Sequence, residues 1–211
     1  MEKNTQKTTV SRKSEIKLHG IRQLLSNHKS IRKLKKEYTP SNHGHKVWPT
    51  TWLLIDYLKN NRILAGARIL DIACGWGLLG IFCAKIFAAE VTWVDGDKEV
   101  YPYLKLLAET NKIEINFIDM NINSVGRDIL QNIDIVVGSD LCFCDSLIDP
   151  IRRFINRAKN SSVSQVYISD PGRWPFDDLA ELFIRKKGTE LIDWKVKKPA
   201  IIQGKILKLS F

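Results

Sequence analysis

The stretch from Arg68 to Phe82 reads RILDIACGWGLLGIF and decides the fold of this sequence. An apolar strand runs as far as Asp71, a glycine-containing turn follows, and a helical pattern comes after it. Gly75 and Gly77 lack Cβ atoms, so their backbone can approach a ligand closely and adopt turns that are closed to other residues. Gly80 would let the helix pack tightly on the strand. Ligands of open α/β sheets bind at the carboxyl ends of the strands, and this turn lies at such an end.

Strand and helix patterns alternate along the chain after residue 66. Strand-like runs are Arg68–Ile72, Val91–Val94, Ile115–Ile118, Ile133–Val137, Gln165–Ser169, Glu190–Val196 and Lys205–Leu209. Helical runs are Leu78–Ala88, Lys98–Thr110, Asp145–Lys159 and Pro175–Lys187, with Trp52–Leu58 upstream and a short, ambiguous helix within Asn121–Gln131. Such alternation predicts an α/β fold, a Rossmann-like, mostly parallel seven-stranded sheet with helices on both faces. The last two strands have no helix between them, so we expect them to pair as a hairpin.

Two aspartates follow the next two predicted strands. Asp95 comes 18 residues after Gly77, a spacing suited to a carboxylate that accepts hydrogen bonds from both ribose hydroxyls of an adenosine. Asp119 ends the third strand and is predicted near the adenine. The glycine spacing also satisfies the dinucleotide fingerprint, but Asp71 would repel a pyrophosphate. S-adenosylmethionine carries an ammonium and a sulfonium, which that carboxylate would attract, and we therefore predict S-adenosyl-L-methionine as the cofactor.

Residues 1–40 form a basic N-terminal extension, and residues 41–211 form the predicted catalytic domain. The chain has a net charge of +10, and its first 40 residues hold 11 Lys/Arg against 3 Asp/Glu. Polar residues 1–13 are predicted to be disordered. One or two amphipathic helices are predicted from Ser14 to Tyr38, on the spacing of Ile21, Leu24, Leu25, Ile31 and Leu34. We expect these helices to pack on the core or cover the site; a basic extension also favours acidic partners, and a solvated tail is the alternative.

The remaining composition excludes several classes of protein. No apolar stretch is long enough to cross a bilayer, and the N-terminus lacks the apolar run of a signal peptide. Four cysteines have neither disulfide-scaffold density nor zinc spacing, so we predict no metal and a reducing, cytoplasmic location. We expect a monomer, and the basic extension is predicted to reach nucleic acid as one partner.

From about residue 45 to 211 the chain resembles the class I methyltransferases, and within them the family-16 type of protein-lysine methyltransferase. The motifs that carry the resemblance are VWPTT at Val47–Thr51, DIACGWGLLGI at Asp71–Ile81, GSDLCF at Gly138–Phe143 and DPGR at Asp170–Arg173. The last is similar to members that methylate the β subunit of electron transfer flavoprotein. The resemblance implies the strand order 3-2-1-4-5-7-6 and places Trp48 against the cofactor. Ala73 replaces the first glycine of the usual motif, and Phe143 replaces a commoner tyrosine.

These patterns assign a role to each candidate site residue. The cofactor-binding residues are predicted to be Trp48, Asp71, Ala73, Gly75, Gly77, Asp95, Asp119 and Ser139; the catalytic residues Asp140 and Phe143; and the substrate-binding residues Asp170 and Arg173. Asp140 would hold an incoming ammonium, and a helix cap or loop hydrogen bond is its structural alternative. Arg173 would hold a substrate carboxylate or pair with a nearby acid. His43 and His45 are predicted to be surface-loop residues rather than bases.

The predicted activity is S-adenosylmethionine-dependent methyl transfer to a lysine side chain of a protein. Three alternatives stay open. The first is a nucleic-acid methyltransferase recruited by the basic extension, against which the segment Ser139–Phe143 lacks the prolines of a base-stacking N/D-P-P-Y/F motif. A small-molecule N-methyltransferase is the second. The third is a non-catalytic, cofactor-binding interaction module.

Overall fold

The computed structural model describes residues 13–41 and 43–211. A seven-stranded sheet lies at its centre. Its strands are β3 (Arg68–Ile72), β4 (Glu90–Asp95), β5 (Asn116–Asp119), β6 (Ile135–Ser139), β7 (Gln165–Asp170), β8 (Thr189–Val196) and β9 (Ile202–Ser210), in the spatial order β5-β4-β3-β6-β7-β9-β8. The pairs β5–β4–β3–β6–β7 are parallel, and β9 runs antiparallel to both β7 and β8. The predicted fold class, strand order and terminal hairpin are confirmed.

Helices cover both faces of this sheet, as the apolar character of its strands requires. The helices of the domain are α2 (Pro49–Asn60), α3 (Leu78–Phe87), α4 (Tyr101–Asn111), α5 (Arg127–Leu130), α6 (Ile148–Lys159) and α7 (Trp174–Ile184). One apolar cluster is built on α2, α3 and α4, with Trp52, Phe82 and Leu104 among its buried residues. The other is built on α5, α6 and α7 and includes Phe154 and Phe176.

The connections of the sheet reverse direction at β3. From β3 the chain moves outward to β4 and β5 and then returns to β6, on the other side of β3. The crevice outside the carboxyl ends of β3 and β6 is therefore the topological switch point, where ligands of open α/β sheets bind. The turn after Ile72 and the segment after Ser139 both begin at this crevice.

The described part of the N-terminal extension begins with a hairpin, so the helix predicted from Ser14 onward is wrong in its first half. Strands β1 (Glu15–Leu18) and β2 (Ile21–Leu24) pair antiparallel, with Leu18 opposite Ile21. The two turn residues, His19 and Gly20, have φ of 52° and 80°. Positive φ at both central positions is what a type I′ hairpin turn needs, and its twist matches that of the paired strands. The helical spacing of the apolar residues was misleading because a short strand buries Ile21 and Leu24 equally well.

The second half of the extension is helical, as predicted. Helix α1 (Lys29–Glu37) buries Ile31 and leaves its basic residues exposed. The hairpin is joined to the domain by Asn111, whose side chain accepts from the Arg22 N–H and donates to the Arg22 carbonyl, each at 2.8 Å. The Trp52 indole donates to the Gln23 amide oxygen at 2.7 Å. The described part of the extension therefore packs on the core, while the domain boundary at residue 40 stays a prediction.

Two further predictions concern the ends of the chain and the membrane. The first is the disorder of residues 1–13, and all of these residues except Lys13 lie outside the described part of the chain. Within residues 13–41 and 43–211, none of the helices has the length and apolar character needed to span a bilayer.

Candidate cofactor and methyl-acceptor site

The turn after β3 takes a backbone shape that glycine makes possible. Gly75 and Gly77 have φ of 53° and 68°, in the left-handed region. A Cβ on Gly77 would lie 2.2 Å from Leu104 Cδ1, whereas a Cβ on Gly75 would meet nothing within 4 Å. Gly77 is thus closed in by the core, and Gly75 faces open space. Ala73 also has a positive φ, 47°, so the turn forms although the first glycine of the usual motif is absent.

Asp71 places a carboxylate beneath this turn. The residue is 2% exposed, and its Oδ2 accepts a hydrogen bond from the Gly80 N–H at 2.9 Å. Burial raises the pKa of Asp71 well above its ordinary value. A Cβ on Gly80 would lie 2.3 Å from Trp93 Nε1, which confirms that this glycine lets α3 pack closely. Asp71 thus occupies one of the N–H groups at the start of α3 that a phosphate would otherwise use.

Asp95 lies at the end of β4, one strand away from the turn. Its two oxygens accept hydrogen bonds from the Gly75 N–H at 2.9 Å and the Asp97 N–H at 3.0 Å. Burial raises the pKa of Asp95, and those two backbone donors act in the opposite direction. A carboxylate oxygen has a second lone-pair site, so Asp95 can still accept from two hydroxyls.

Asp119 does not reach the site that was predicted for it. It pairs in register with Asp95, at the end of the next strand, but its side chain is exposed. The chain turns into the crevice immediately afterwards, and Met120, Asn121 and Ile122 line the cavity there instead. The structure thus places Met120, Asn121 and Ile122, rather than Asp119, at the cavity, and the residue that contacts the adenine stays a prediction.

A cavity of about 440 Å³ occupies the switch point, within the range of about 300–1,000 Å³ that is usual for small-molecule sites. Of the predicted site residues, it is lined by Trp48, Asp71, Ala73, Gly75, Gly77, Asp95, Ser139, Asp140 and Phe143. Ser139 Oγ lies 2.9 Å from Thr51 Oγ1, which joins the end of β6 to α2. Nine of the twelve assigned residues are thus brought together, and their individual roles stay predictions.

Aromatic rings form one side of the cavity. Trp48 is half-buried rather than fully buried, and its indole N–H donates to the carbonyl of His43 at 2.9 Å. The His43 ring packs against Phe143, at 4.6 Å between ring centroids, and against Trp48, at 5.7 Å. His43 therefore lines the cavity, although it is exposed as predicted, whereas His45 is not among the lining residues. The face of an aromatic ring attracts cations.

Asp140 ends this wall and forms an ion pair with Arg173. Arg173 Nη2 donates to Asp140 Oδ1 and lies 3.3 Å from Asp170 Oδ2. Asp140 has a φ of 59°, and its Oδ2 is buried with no hydrogen-bond partner in the described part of the chain. Of the two alternatives for Arg173, the structure shows pairing with acids.

Asp170 lies behind this ion pair and does not line the cavity. It is fully buried, and its Oδ1 accepts from the N–H groups of Gly172 and Arg173, at 2.9 and 2.8 Å. Burial raises the pKa of Asp170 to about 6. Asp170 and Arg173 therefore support Asp140 from the protein side, and direct contact of either with a substrate stays a prediction.

Two contacts at the cavity were not predicted. Trp76, inside the glycine turn, donates through its indole to the carbonyl of Gly44 at 2.9 Å and stacks on Tyr103. Ser41 donates through its backbone N–H to Asp97 at 2.6 Å. Both hold the segment before α2 over the turn. A tryptophan between two glycines was a visible signal for the first contact, but nothing in the sequence indicated the second.

Comparisons with known proteins agree with this geometry. A family profile described as methyltransferase small domain matches residues 43–138. The electron transfer flavoprotein beta subunit lysine methyltransferase of Danio rerio is 29% identical over 66% of this chain and 54% of its own length. A histidine protein methyltransferase 1 homolog of Bos taurus is 31% identical over 48% of this chain and 27% of its own. The chain thus spans about half or less of these curated relatives.

The fold has a counterpart in a solved methyltransferase. The crystal structure of a methyltransferase from Pyrococcus furiosus superposes with a TM-score of 0.60 and 18% identity, covering 87% of this chain and 94% of that one. The residues that the profile matches include the glycine turn, Asp71 and Asp95. The chain is therefore similar to methyltransferases over residues 43–138 and in the topology of its sheet.

Proposed function

We propose that the protein transfers the methyl group of S-adenosylmethionine to the side-chain amine of a lysine in another protein. The observation that carries the proposal is the environment of Asp140. Asp140 lines the cavity and has one buried oxygen with no hydrogen-bond partner among the described residues, and His43 and Phe143, whose rings pack together, line the same cavity. A carboxylate beside aromatic faces is a site for an ammonium ion, which combines a charge-assisted hydrogen bond with a cation–π contact.

The cofactor would be held by the residues of the glycine turn and its neighbours. Asp71 would attract its ammonium group, and Asp95 would accept hydrogen bonds from its ribose. Gly75 would allow the backbone to approach it, because a side chain there would point into open space. We assign Trp48, Ala73, Gly77 and Ser139 to the walls of the same site on the basis of their place in the cavity. When bound, the cofactor supplies an electrophilic methyl group on a sulfonium.

The substrate lysine must lose a proton before it can attack. With a reference pKa of about 10.4, deprotonation at pH 7.4 costs about 4 kcal/mol. Asp140 would first hold the ammonium through its free oxygen and then orient the neutral amine, while the proton leaves to water at the open mouth. Alignment of the reactants can lower the barrier by about 7–11 kcal/mol in favourable cases, which exceeds the cost of deprotonation.

Arg173 gives Asp140 a fixed geometry for this task. The Arg173 guanidinium donates to Asp140 Oδ1, and Asp140 Oδ2 has no hydrogen-bond partner among the described residues. The cation also neutralises part of the negative charge that Asp140 and the buried Asp170 bring together. We therefore propose Asp140 as the residue that contacts the substrate amine and Arg173 as a positioning residue.

The two curated relatives support a protein substrate, since their names describe methylation of a lysine and a histidine in proteins. We favour lysine because an unpartnered carboxylate suits an ammonium better than a neutral imidazole. The exposed basic residues of α1 favour an acidic protein surface as the partner. A cytoplasmic location and a monomeric state stay predictions.

Labelling of a cell lysate tests the proposal. The purified protein is incubated with lysate and donor carrying a radioactive methyl group, and samples are treated with protease or nuclease. We expect a discrete protein band that survives nuclease and gives methyl-lysine on acid hydrolysis. Label confined to nucleic acid or small molecules, or methyl-histidine as the product, would overturn the lysine assignment.

A pair of matched variants ties the label to the site. Asp140→Asn removes the charge that would hold the ammonium, and we expect it to lower labelling at least tenfold. Asp149→Asn makes the same chemical change on the surface, where Asp149 pairs with Arg152 and Arg153 on α6. This control should label as the unchanged protein does. Equal labelling by both variants would contradict the role of Asp140.

A further inference from the structure

We propose that the protein methylates its own Lys46 in an intramolecular reaction. This inference rests on the proposed lysine methylation and adds an acceptor within the chain itself. The relevant surface is the cavity wall formed by Lys46 and Trp48, on the segment just before α2. Of the lysines in the described part of the chain, Lys46 is the one that lines the 440 Å³ cavity.

The ammonium of Lys46 lies over the aromatic face of Trp48, which also lines that cavity. Its Nζ is 4.0 Å from the centroid of the Trp48 ring. The ring is held in place because its indole N–H donates to the carbonyl of His43. Lys46 is half-buried and forms no ion pair with a carboxylate among the described residues. No strong partner therefore opposes movement of this amine toward the methyl donor.

Lys46 also has room to move. Its side chain lines both the main cavity and a neighbouring one bordered by β2, so it lies at the boundary between the two. A reactive group on the same chain has a high effective concentration, since the entropy of bringing two molecules together does not oppose the reaction. An acceptor lysine of an external protein lacks this advantage and must be docked first.

The reaction is balanced without any further reactant. The Lys46 ammonium loses a proton to water, and the lone pair of the resulting amine attacks the methyl carbon of S-adenosylmethionine. The N–C bond forms as the S–C bond breaks, and the bonding electron pair stays on sulfur, which gives S-adenosylhomocysteine. The product is a secondary ammonium that keeps its charge. Methylated ammonium groups bind aromatic faces well, so the modified side chain would remain over Trp48.

Mass spectrometry of the purified full chain tests the modification. The protein alone is incubated with donor carrying a deuterated methyl group and is then digested. We expect the added mass on the peptide that contains Lys46, with a rate per molecule that stays constant on dilution. Lys46→Arg should reduce labelling to background, and the control Lys59→Arg, at the exposed end of α2, should not change it. A rate that falls on dilution would overturn the intramolecular reaction.

A second measurement needs no cofactor. Reductive methylation with isotope-labelled formaldehyde places methyl groups on the lysines, and the Lys46 signal is assigned by its loss in Lys46→Arg. We expect the ring current of Trp48 to move this signal upfield of the other lysine signals, and Trp48→Leu to abolish that displacement. An undisplaced signal would show that the amine does not lie over the ring and would overturn the proposal.

The two proposals fail in distinguishable ways. A protein that methylates lysines of lysate proteins but leaves its own Lys46 unmodified would overturn this inference and leave the proposed function in place. Modification of Lys46 without any external protein acceptor would support the inference and overturn the proposed substrate. Methylation of no lysine would overturn both.

Discussion

Replacing Asp95 by Asn should weaken the binding of S-adenosylmethionine by about 10- to 150-fold. Asp95 already accepts backbone N–H groups from Gly75 and Asp97, one on each oxygen. The ribose hydroxyls would use the remaining lone pairs of the two carboxylate oxygens. In asparagine one of these oxygens is replaced by an NH2 group, which cannot accept, and the other becomes a neutral acceptor. The loss is about 1.5–3 kcal/mol for hydrogen bonds to a charged group. At about 1.4 kcal/mol for each factor of ten, this gives the expected range.

Asp119 provides the matched control for this experiment. It ends the neighbouring strand in register with Asp95, yet its side chain is exposed and does not line the cavity. Asp119→Asn should therefore leave affinity within about twofold, well under the 1.4 kcal/mol that a tenfold change requires. Calorimetric titration measures both variants, and thermal melting checks that each one is folded. Equal affinities for the two variants would refute the assignment of Asp95 to the ribose.

The same reasoning predicts how affinity depends on pH. Burial raises the pKa of Asp95, and protonation would convert an acceptor oxygen into a donor. We expect the affinity of the unchanged protein to fall as the pH is lowered toward this pKa. In Asp95→Asn that part of the pH dependence should be absent. A fall of equal size in the variant would assign the titration to another group.

Three further predictions concern stability and transfer. Gly77→Ala should lower the free energy of unfolding by about 2–5 kcal/mol, because the alanine would be strained in the left-handed region and its Cβ would contact Leu104. The control Gly66→Ala has a similar φ but open space around the Cβ, so it should lower the free energy of unfolding by only about 1–2 kcal/mol. Denaturant titrations measure both. Arg173→Gln should lower methyl transfer at least tenfold without changing cofactor affinity, because Asp140 loses the cation that fixes its orientation. Arg173→Lys should restore part of the activity. Unchanged turnover in Arg173→Gln would contradict this role. Burial raises the pKa of Asp170 to about 6. Below pH 3.9, the protonated side chain should therefore contribute about 3 kcal/mol to the free energy of unfolding, and this contribution should be lost as the pH rises through 6. Asp170→Asn should remove this slope, and an unaltered pH profile would show that another group is responsible.

The central part of the fold was predictable because buried parallel strands are apolar runs of characteristic length. The predicted bounds of β3 agree with the structure, and the terminal hairpin was indicated by the absence of a helical pattern between the last two strand patterns. The extension was harder. Ile21 and Leu24 are three residues apart, which fits a helix, but they belong to a short strand after a two-residue turn. The informative signal was the glycine at position 20, which permits the hairpin turn.

The sequence predicted which residues line the cavity best where those residues lie at a strand end. Asp71 lies near the end of β3, Asp95 ends β4 and Gly75 follows β3 by three residues, and all three line the cavity. The pair of Asp140 and Arg173 depends instead on two segments 33 residues apart that meet only in the folded sheet. Asp119 shows the limit of the strand-end rule, because a one-residue difference in where the chain turns decides which side chain faces the cavity.

The cluster of Asp140, Asp170 and Arg173 limits the charge that a substrate lysine would meet. With both carboxylates ionised, Arg173 leaves a net charge of about −1 rather than −2. This distinction matters because the same negative charge that attracts the ammonium also raises its pKa, and each unit of pKa adds about 1.4 kcal/mol to the cost of forming the reactive amine. Two unopposed carboxylates would bind the lysine more tightly but hold it in the unreactive form. An arginine between them allows capture of the ammonium while keeping deprotonation within the energy that alignment with the methyl donor can supply.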